Sequence, residues 1–239
     1  MKPSLLGIHY SPWSQKARHA LAAADVDYDY TEYQPVFGEP MLRMKAKQWR
    51  GRVSVPILLT DGGALRDSFE IAQFAAAQTP SLIPPGYEDI VATWNERSDR
   101  LLALGRRRTT ALVKADPAAL LENLPKPLRK MGPVSRGLGV FGARFLQKKY
   151  DMDTSTSLEA CEAEMRSILV TLRGGLATGA HLIGSDLTYA DITMAVSLTF
   201  VKPHGDVRIG RQSRPHWSVD ALVEEFSSLF EWRDAIYAR

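Results

Sequence analysis

The chain has 239 residues, a mass of 26.6 kDa and a formal net charge of +3. Hydrophobic residues make up 45% and charged residues 24%, which provides a core and excludes a disordered chain. One cysteine, Cys161, excludes a disulfide framework within the chain and a four-cysteine zinc site, so no metal is expected.

No apolar run approaches the ~18 residues of a membrane-spanning helix. The start, Met1 to Ile8, lacks the long apolar stretch and small-residue cleavage site of a signal peptide, so a cytoplasmic protein is expected. The small net charge hides an asymmetry: residues 97–150 carry a local +10 and the remaining residues −7. Solvated helix faces are the plain reading of that segment. A surface that attracts anionic substrates or an acidic membrane is the sharper one. Nucleic-acid binding is not expected, because aromatic residues are not interleaved with the charge and no known motif is present.

Ser4–Tyr10 is an apolar run of strand length. From Ser14 to Ala24 strong helix formers dominate. Asp27–Tyr33 alternates polar with aromatic or β-branched side chains, the period of a half-buried strand. Residues 34–54 read as a long loop with one helical turn at most. Val55–Thr60 is the next strand, Asp61-Gly62-Gly63 a hairpin turn, and Ala64–Arg66 the returning strand. A helix is expected from Asp67-Ser68 to about Ala77. Residues 79–87 are proline-rich and read as a linker. Beyond it, helical patterns cover residues 88–112, 157–178, 188–201 and 219–238. Residues 115–150 are basic and broken by prolines and glycines. The expected organisation is a small α/β domain (1–78), a linker (79–87) and an all-helical domain (88–239).

Four features carry possible chemistry. Tyr10-Ser11-Pro12-Trp13-Ser14 stands between a strand end and a helix start, where unpaired N–H groups and the helix dipole favour an anion. Ser11 adds a hydroxyl there, and Pro12 suits the first helical position. Val55-Pro56 opens a strand; a cis bond would leave Val55 backbone groups free to pair with an extended peptide. Asp67-Ser68 opens a helix, and its hydroxyl, N–H groups and carboxylate suit the α-carboxylate and ammonium of an amino acid. Taken singly, the first and third also read as ordinary helix caps. Thr188-x-x-Asp191 is a capping box expected to fix a buried helix start and to touch no substrate.

Taken together, S-P-x-S before a helix, V-P-I-L at a strand start, D-S before a helix and G-x-x-L-T-Y-A-D-I in a helical half resemble the cytosolic glutathione transferases. The ending Phe230–Tyr237 is similar to the last helix of many bacterial members. The resemblance implies a thioredoxin-like glutathione-binding domain, an all-α domain that shapes the electrophile pocket, and a homodimer. It gives Ser11 the serine-type role of donating to the glutathione sulfur, with Trp13 beside it and Ser14 and Tyr10 as competing donors. It gives Val55 the cysteinyl backbone, Pro56 the cis proline, and Asp67 and Ser68 the γ-glutamyl end. The loop Lys47–Pro56 departs from the common N-P-x-G-K-V-P form, leaving Arg52, Arg50 and Lys47 as candidates for the glycyl carboxylate.

The implied reaction is attack of a glutathione thiolate on a small electrophile, as in detoxification. A non-catalytic module of the same fold, or a glutathione-dependent isomerase or dehalogenase, are the alternatives. With serine in place of cysteine at position 11, thiol-transferase activity is expected to be weak or absent.

Overall fold

The computed structural model describes residues 2–34, 38–152 and 155–238. β1 (Ser4–Gly7) is central in a four-stranded sheet of order β2-β1-β3-β4. β2 (Asp29–Glu32) runs parallel to β1, joined to it through α1 (Pro12–Ala23). β3 (Ile57–Thr60) and β4 (Gly63–Leu65) continue the sheet antiparallel, with Leu6 opposite Ile57 and Leu58 opposite Leu65. The period of two sorts the core. Leu6 and Ile57 pack with Tyr33, Val53 and with Leu42 and Ala46 of α2 (Glu39–Ala46). Leu5 and Leu58, on the other pleat, are also fully buried. α1 packs against α3 (Ser68–Ala76).

The structure differs from the expected elements in ways with local causes. The first strand ends at Gly7, because the chain turns and the Ser11 N–H donates to the Ile8 carbonyl at 3.0 Å. The helix then begins at Pro12, two residues before Ser14. α2 occupies part of the expected loop; its Pro40 lies in the first turn, where the missing N–H costs nothing.

The helices that follow are α4 (Glu88–Ala115), α5 (Pro117–Glu122), α6 (Pro133–Lys149), α7 (Leu158–Gly175), α8 (Tyr189–Ser197), α9 (Asp220–Glu225) and α10 (Ser227–Tyr237). α6 lies in the stretch that reads as broken, and the prolines explain why it does so: Pro117 and Pro133 each begin a helix rather than interrupt one. A Cβ on Gly139 would lie 2.7 Å from Leu120 Cγ, so glycine lets α6 approach α5. The expected helix over 219–238 is two, parted at Phe226 with φ −120° and ψ 33°.

The chain forms two compact units. One is Met1–Glu96 with Thr178–Val196, so α8 belongs with the sheet; the other is Arg97–Ala177 with Ser197–Arg239. Among the described residues no helix is long and apolar enough to cross a membrane.

Candidate functional site at the end of the sheet

Strand register brings the three N-terminal features together. β3 is antiparallel to β1, and Ile57 lies opposite Leu6, so Val55-Pro56 sits at the end of β1 from which the chain leaves toward Ser11. β4 is antiparallel to β3, so the Asp67-Ser68 pair that follows Leu65 returns to that same end. Residues separated by more than fifty positions thus share one end of the sheet.

Ser11 is the N-cap residue of α1, with extended backbone at φ −75° and ψ 122°. It is half-buried, and its hydroxyl makes no capping bond. The first turn of α1 contains no acidic residue, so nothing there offsets the positive end of the helix dipole. Ser14 differs. It is fully buried, and its Oγ accepts the Ile8 N–H at 3.1 Å. Gly7 makes that approach possible: a Cβ there would lie 3.1 Å from Ser14 Oγ and 3.2 Å from Tyr30 Cε2. Tyr10 is 39% exposed, and Trp13 is half-buried on the first turn of α1.

The turn from β1 into α1 is braced from β2. Glu32 Oε1 accepts the His9 N–H at 3.1 Å, and Glu32 Oε2 accepts the Tyr30 hydroxyl at 2.9 Å. Burial, then the bond to the Glu32 carboxylate, raises the Tyr30 phenol above its ordinary pKa. The Arg18 guanidinium lies 5.5 Å over the Tyr30 ring.

The Val55–Pro56 peptide is cis. The Val55 amide and carbonyl have no hydrogen-bond partner among the described residues. Asp67 caps α3 through Oδ1, which accepts the Phe69 N–H at 2.6 Å; Oδ2 makes no bond among the described residues. Glu70 Oε2 accepts the Arg66 N–H at 2.7 Å, one residue before the cap, and so ties the entry to α3 to its first turn. Ser68 is buried, and its Oγ has no partner among the described residues. Arg52, Arg50 and Lys47 are all exposed along the preceding loop.

Two contributors are invisible in the local pattern. Arg43 on α2 donates to Glu39 Oε1 at 2.8 Å and to the Gly51 carbonyl at 3.1 Å, tying α2 to the loop that carries Arg50 and Arg52. Tyr189 stacks on Phe69 at 5.7 Å and places its hydroxyl 3.4 Å from the Ser68 carbonyl. The capping box of α8 therefore supports the start of α3, across 121 residues of sequence, where no spacing rule reaches.

Residues 10–78 match the sequence family described as glutathione S-transferase, N-terminal domain. No curated protein matches the chain. Among solved structures, a glutathione S-transferase from Methylobacterium radiotolerans, complexed with glutathione sulfonate, is 15% identical with a TM-score of 0.62, covering 100% of this chain and 92% of its own. A possible glutathione S-transferase from Rhodopseudomonas palustris is 20% identical, with a TM-score of 0.61 and coverage of 98% and 86%. One from Rhodospirillum rubrum is 21% identical, with a TM-score of 0.53 and coverage of 99% and 88%.

The chain has the glutathione transferase fold. In this fold the sheet end bearing Ser11, Val55, Pro56, Asp67 and Ser68 belongs to the thioredoxin-like part, and those residues lie within the matched segment. At these identities the solved structures carry the fold and not the substrate.

Proposed function

We propose that the protein is a glutathione transferase that uses Ser11 to hold the glutathione sulfur as a thiolate for attack on a small electrophile. The observation that carries this reading is the buried Ser68 hydroxyl, without a partner among the described residues, at the start of α3 on the sheet end that also bears Ser11 and Val55. A buried polar group left unpaired costs about 1–3 kcal/mol, so an acceptor from a ligand is the simplest account of it.

In this reading the γ-glutamyl carboxylate receives Ser68 Oγ and first-turn N–H groups of α3. Asp67 Oδ2, unused by the cap, meets the ammonium. The free Val55 amide and carbonyl pair with the cysteinyl backbone as an added strand. Arg52, with Arg50 and Lys47 nearby in the chain, supplies charge for the glycyl carboxylate, and Trp13 flanks the sulfur. The glutathione sulfonate bound to the Methylobacterium radiotolerans neighbour supports this choice of ligand.

A free thiol has a pKa of about 8.5, and lowering it by about 2 units needs roughly 2.7 kcal/mol of preference for the anion. A hydroxyl donor to a charged acceptor contributes about 1.5–3 kcal/mol. A helix N-terminus adds about 0.3–1 kcal/mol. Ser11 and α1 therefore suffice without a general base. The thiolate forms the new S–C bond, and the electrophile's leaving group or π system takes the electron pair.

Calorimetric titration with reduced glutathione tests the site. Asp67→Asn is the informative variant, because asparagine keeps the cap and removes only the charge. Its affinity is expected to fall by about 10–100-fold, the worth of one charge-assisted bond. Tight binding unchanged by Asp67→Asn refutes the assignment of the γ-glutamyl end. Binding without turnover of any electrophile leaves the non-catalytic module as the function.

A further inference from the structure

α6 presents two unlike sides. Ser135, Gly139 and Ala143 are buried on one. Val134, Gly137, Phe141, Arg144 and Lys148, at alternating steps of three and four, form a stripe on the other. Phe141 is 64% exposed, Val134 54%, and Met131, just before the helix, 48%. Pro133, Arg136, Gly137, Val140, Phe141 and Arg144 line a shallow depression on this side. Single exposed apolar residues are ordinary, whereas an aligned set flanked by cations marks an interaction surface.

The charge of the segment narrows the partner. Residues 123–150 contain seven Lys or Arg and no Asp or Glu. A second copy of the chain seated on this stripe would bring two such cationic stretches together with no Asp or Glu in either to pair them. A nucleic acid would use the cations and leave Val134 and Met131 in water. An acidic lipid surface satisfies both components, since its headgroups take the cations and its acyl boundary takes the apolar side chains.

We propose that this face of α6 docks the protein reversibly on acidic phospholipid membranes, with Phe141 and Val134 entering the interface and Arg136, Arg144 and Lys148 meeting the anionic headgroups. Reversible attachment of this kind rests on two signals together, an apolar anchor and a basic patch. It is independent of the glutathione reading, which concerns the other compact unit.

The test is co-sedimentation of the full chain with phosphatidylcholine–phosphatidylserine vesicles and with phosphatidylcholine alone. Retention is expected only on the mixed vesicles, and release at about 1 M salt, where the Debye length is about 3 Å. Arg136→Gln/Arg144→Gln should weaken partition about 30-fold. Phe141→Ser should weaken it roughly tenfold. These side chains are exposed, and the far-ultraviolet circular dichroism of both variants serves as the folding control. No retention, or equal retention on both vesicle types, overturns the proposal. So does retention insensitive to Phe141→Ser, or tighter binding to a DNA duplex than to mixed vesicles. A change in assembly mass in Phe141→Ser by light scattering would instead make the stripe a seam between copies.

Discussion

Ser11 and Ser14 are one helical turn apart and have opposite surroundings. The Ser14 hydroxyl is spent on the Ile8 N–H in a fully buried position, and the Ser11 hydroxyl makes no capping bond. Ser14→Ala should therefore cost about 1–3 kcal/mol, because it leaves a buried donor unpaired. Urea unfolding measures that directly. Ser11→Ala should leave stability nearly unchanged. On the proposed reading its effect falls on the chemistry: the pKa of bound glutathione should rise by about 1–2 units and turnover at neutral pH should fall by about 10–100-fold. Ultraviolet titration of the bound thiolate, with kinetics at two pH values, separates this from loss of binding. Full activity in Ser11→Ala would remove Ser11 from the mechanism. Serine at this position forms no mixed disulfide. Ser11→Cys, incubated with glutathione disulfide, should gain one glutathione by disulfide exchange, detectable as added mass; the wild-type chain should not.

The start of α8 is held by one carboxylate. Asp191 is fully buried; its Oδ2 accepts the Thr188 N–H at 2.9 Å and the Thr188 hydroxyl at 2.9 Å, and its Oδ1 accepts the Leu182 N–H at 2.8 Å. Thr188→Ala removes one of these bonds and should cost on the order of 1 kcal/mol. Asp191→Ala orphans two backbone donors and should cost about 3 kcal/mol or more. Chemical denaturation of the two variants checks the ranking, and equal losses would contradict the carboxylate as the hub. Tyr189 leads from this box to the start of α3, so Asp191→Ala should also weaken glutathione binding at temperatures where the chain is still folded. Elements remote in sequence thus share the support of one site.

Across the molecule, acid should weaken the unit built from Arg97–Ala177 and Ser197–Arg239. Asp116 is lowered from 3.8 by its bond to His216 and by the Ala119 and Ala118 N–H groups. Glu164 is lowered from 4.5 by Arg100, and Glu225 by Arg166. Burial pushes the Glu122 carboxyl up, but the Gln212 and Ser213 N–H groups together outweigh it and leave its pKa lowered. A carboxyl with a depressed folded pKa binds protons less readily in the folded chain than in the unfolded one. The stability it contributes is complete above 4.5, the ordinary glutamate value, and is lost as pH falls below 4.5 through the lowered folded values. Unfolding midpoints in urea should be flat from pH 7 to about 5 and then drop. These pairs are largely exposed, so the drop should be shallow in high salt. A midpoint that held level down to about pH 3 would show that the pairs contribute nothing.

What the sequence determined by itself was local. Period-two and helical spacing, turn residues and caps mark the β-α-β start, the hairpin at Gly62-Gly63, the α3 N-cap at Asp67 and the capping box at Thr188, because each depends on neighbours within a few positions. Ser11, Pro56 and Asp67 are legible as candidates for the same reason, since each stands next to the start of a helix or a strand. Other features needed the folded chain. α6 hides behind its prolines and glycines, because Gly139 owes its place to the close approach of Leu120 on α5. Burial and the bond to the Ile8 N–H set Ser14 apart from Ser11, a difference that identical side chains do not announce. The support of Ser68 by Tyr189, and of the Arg50–Arg52 loop by Arg43, arises from packing between distant segments. Hydrogen bonds and stacking act through space, so only the tertiary structure could decide them.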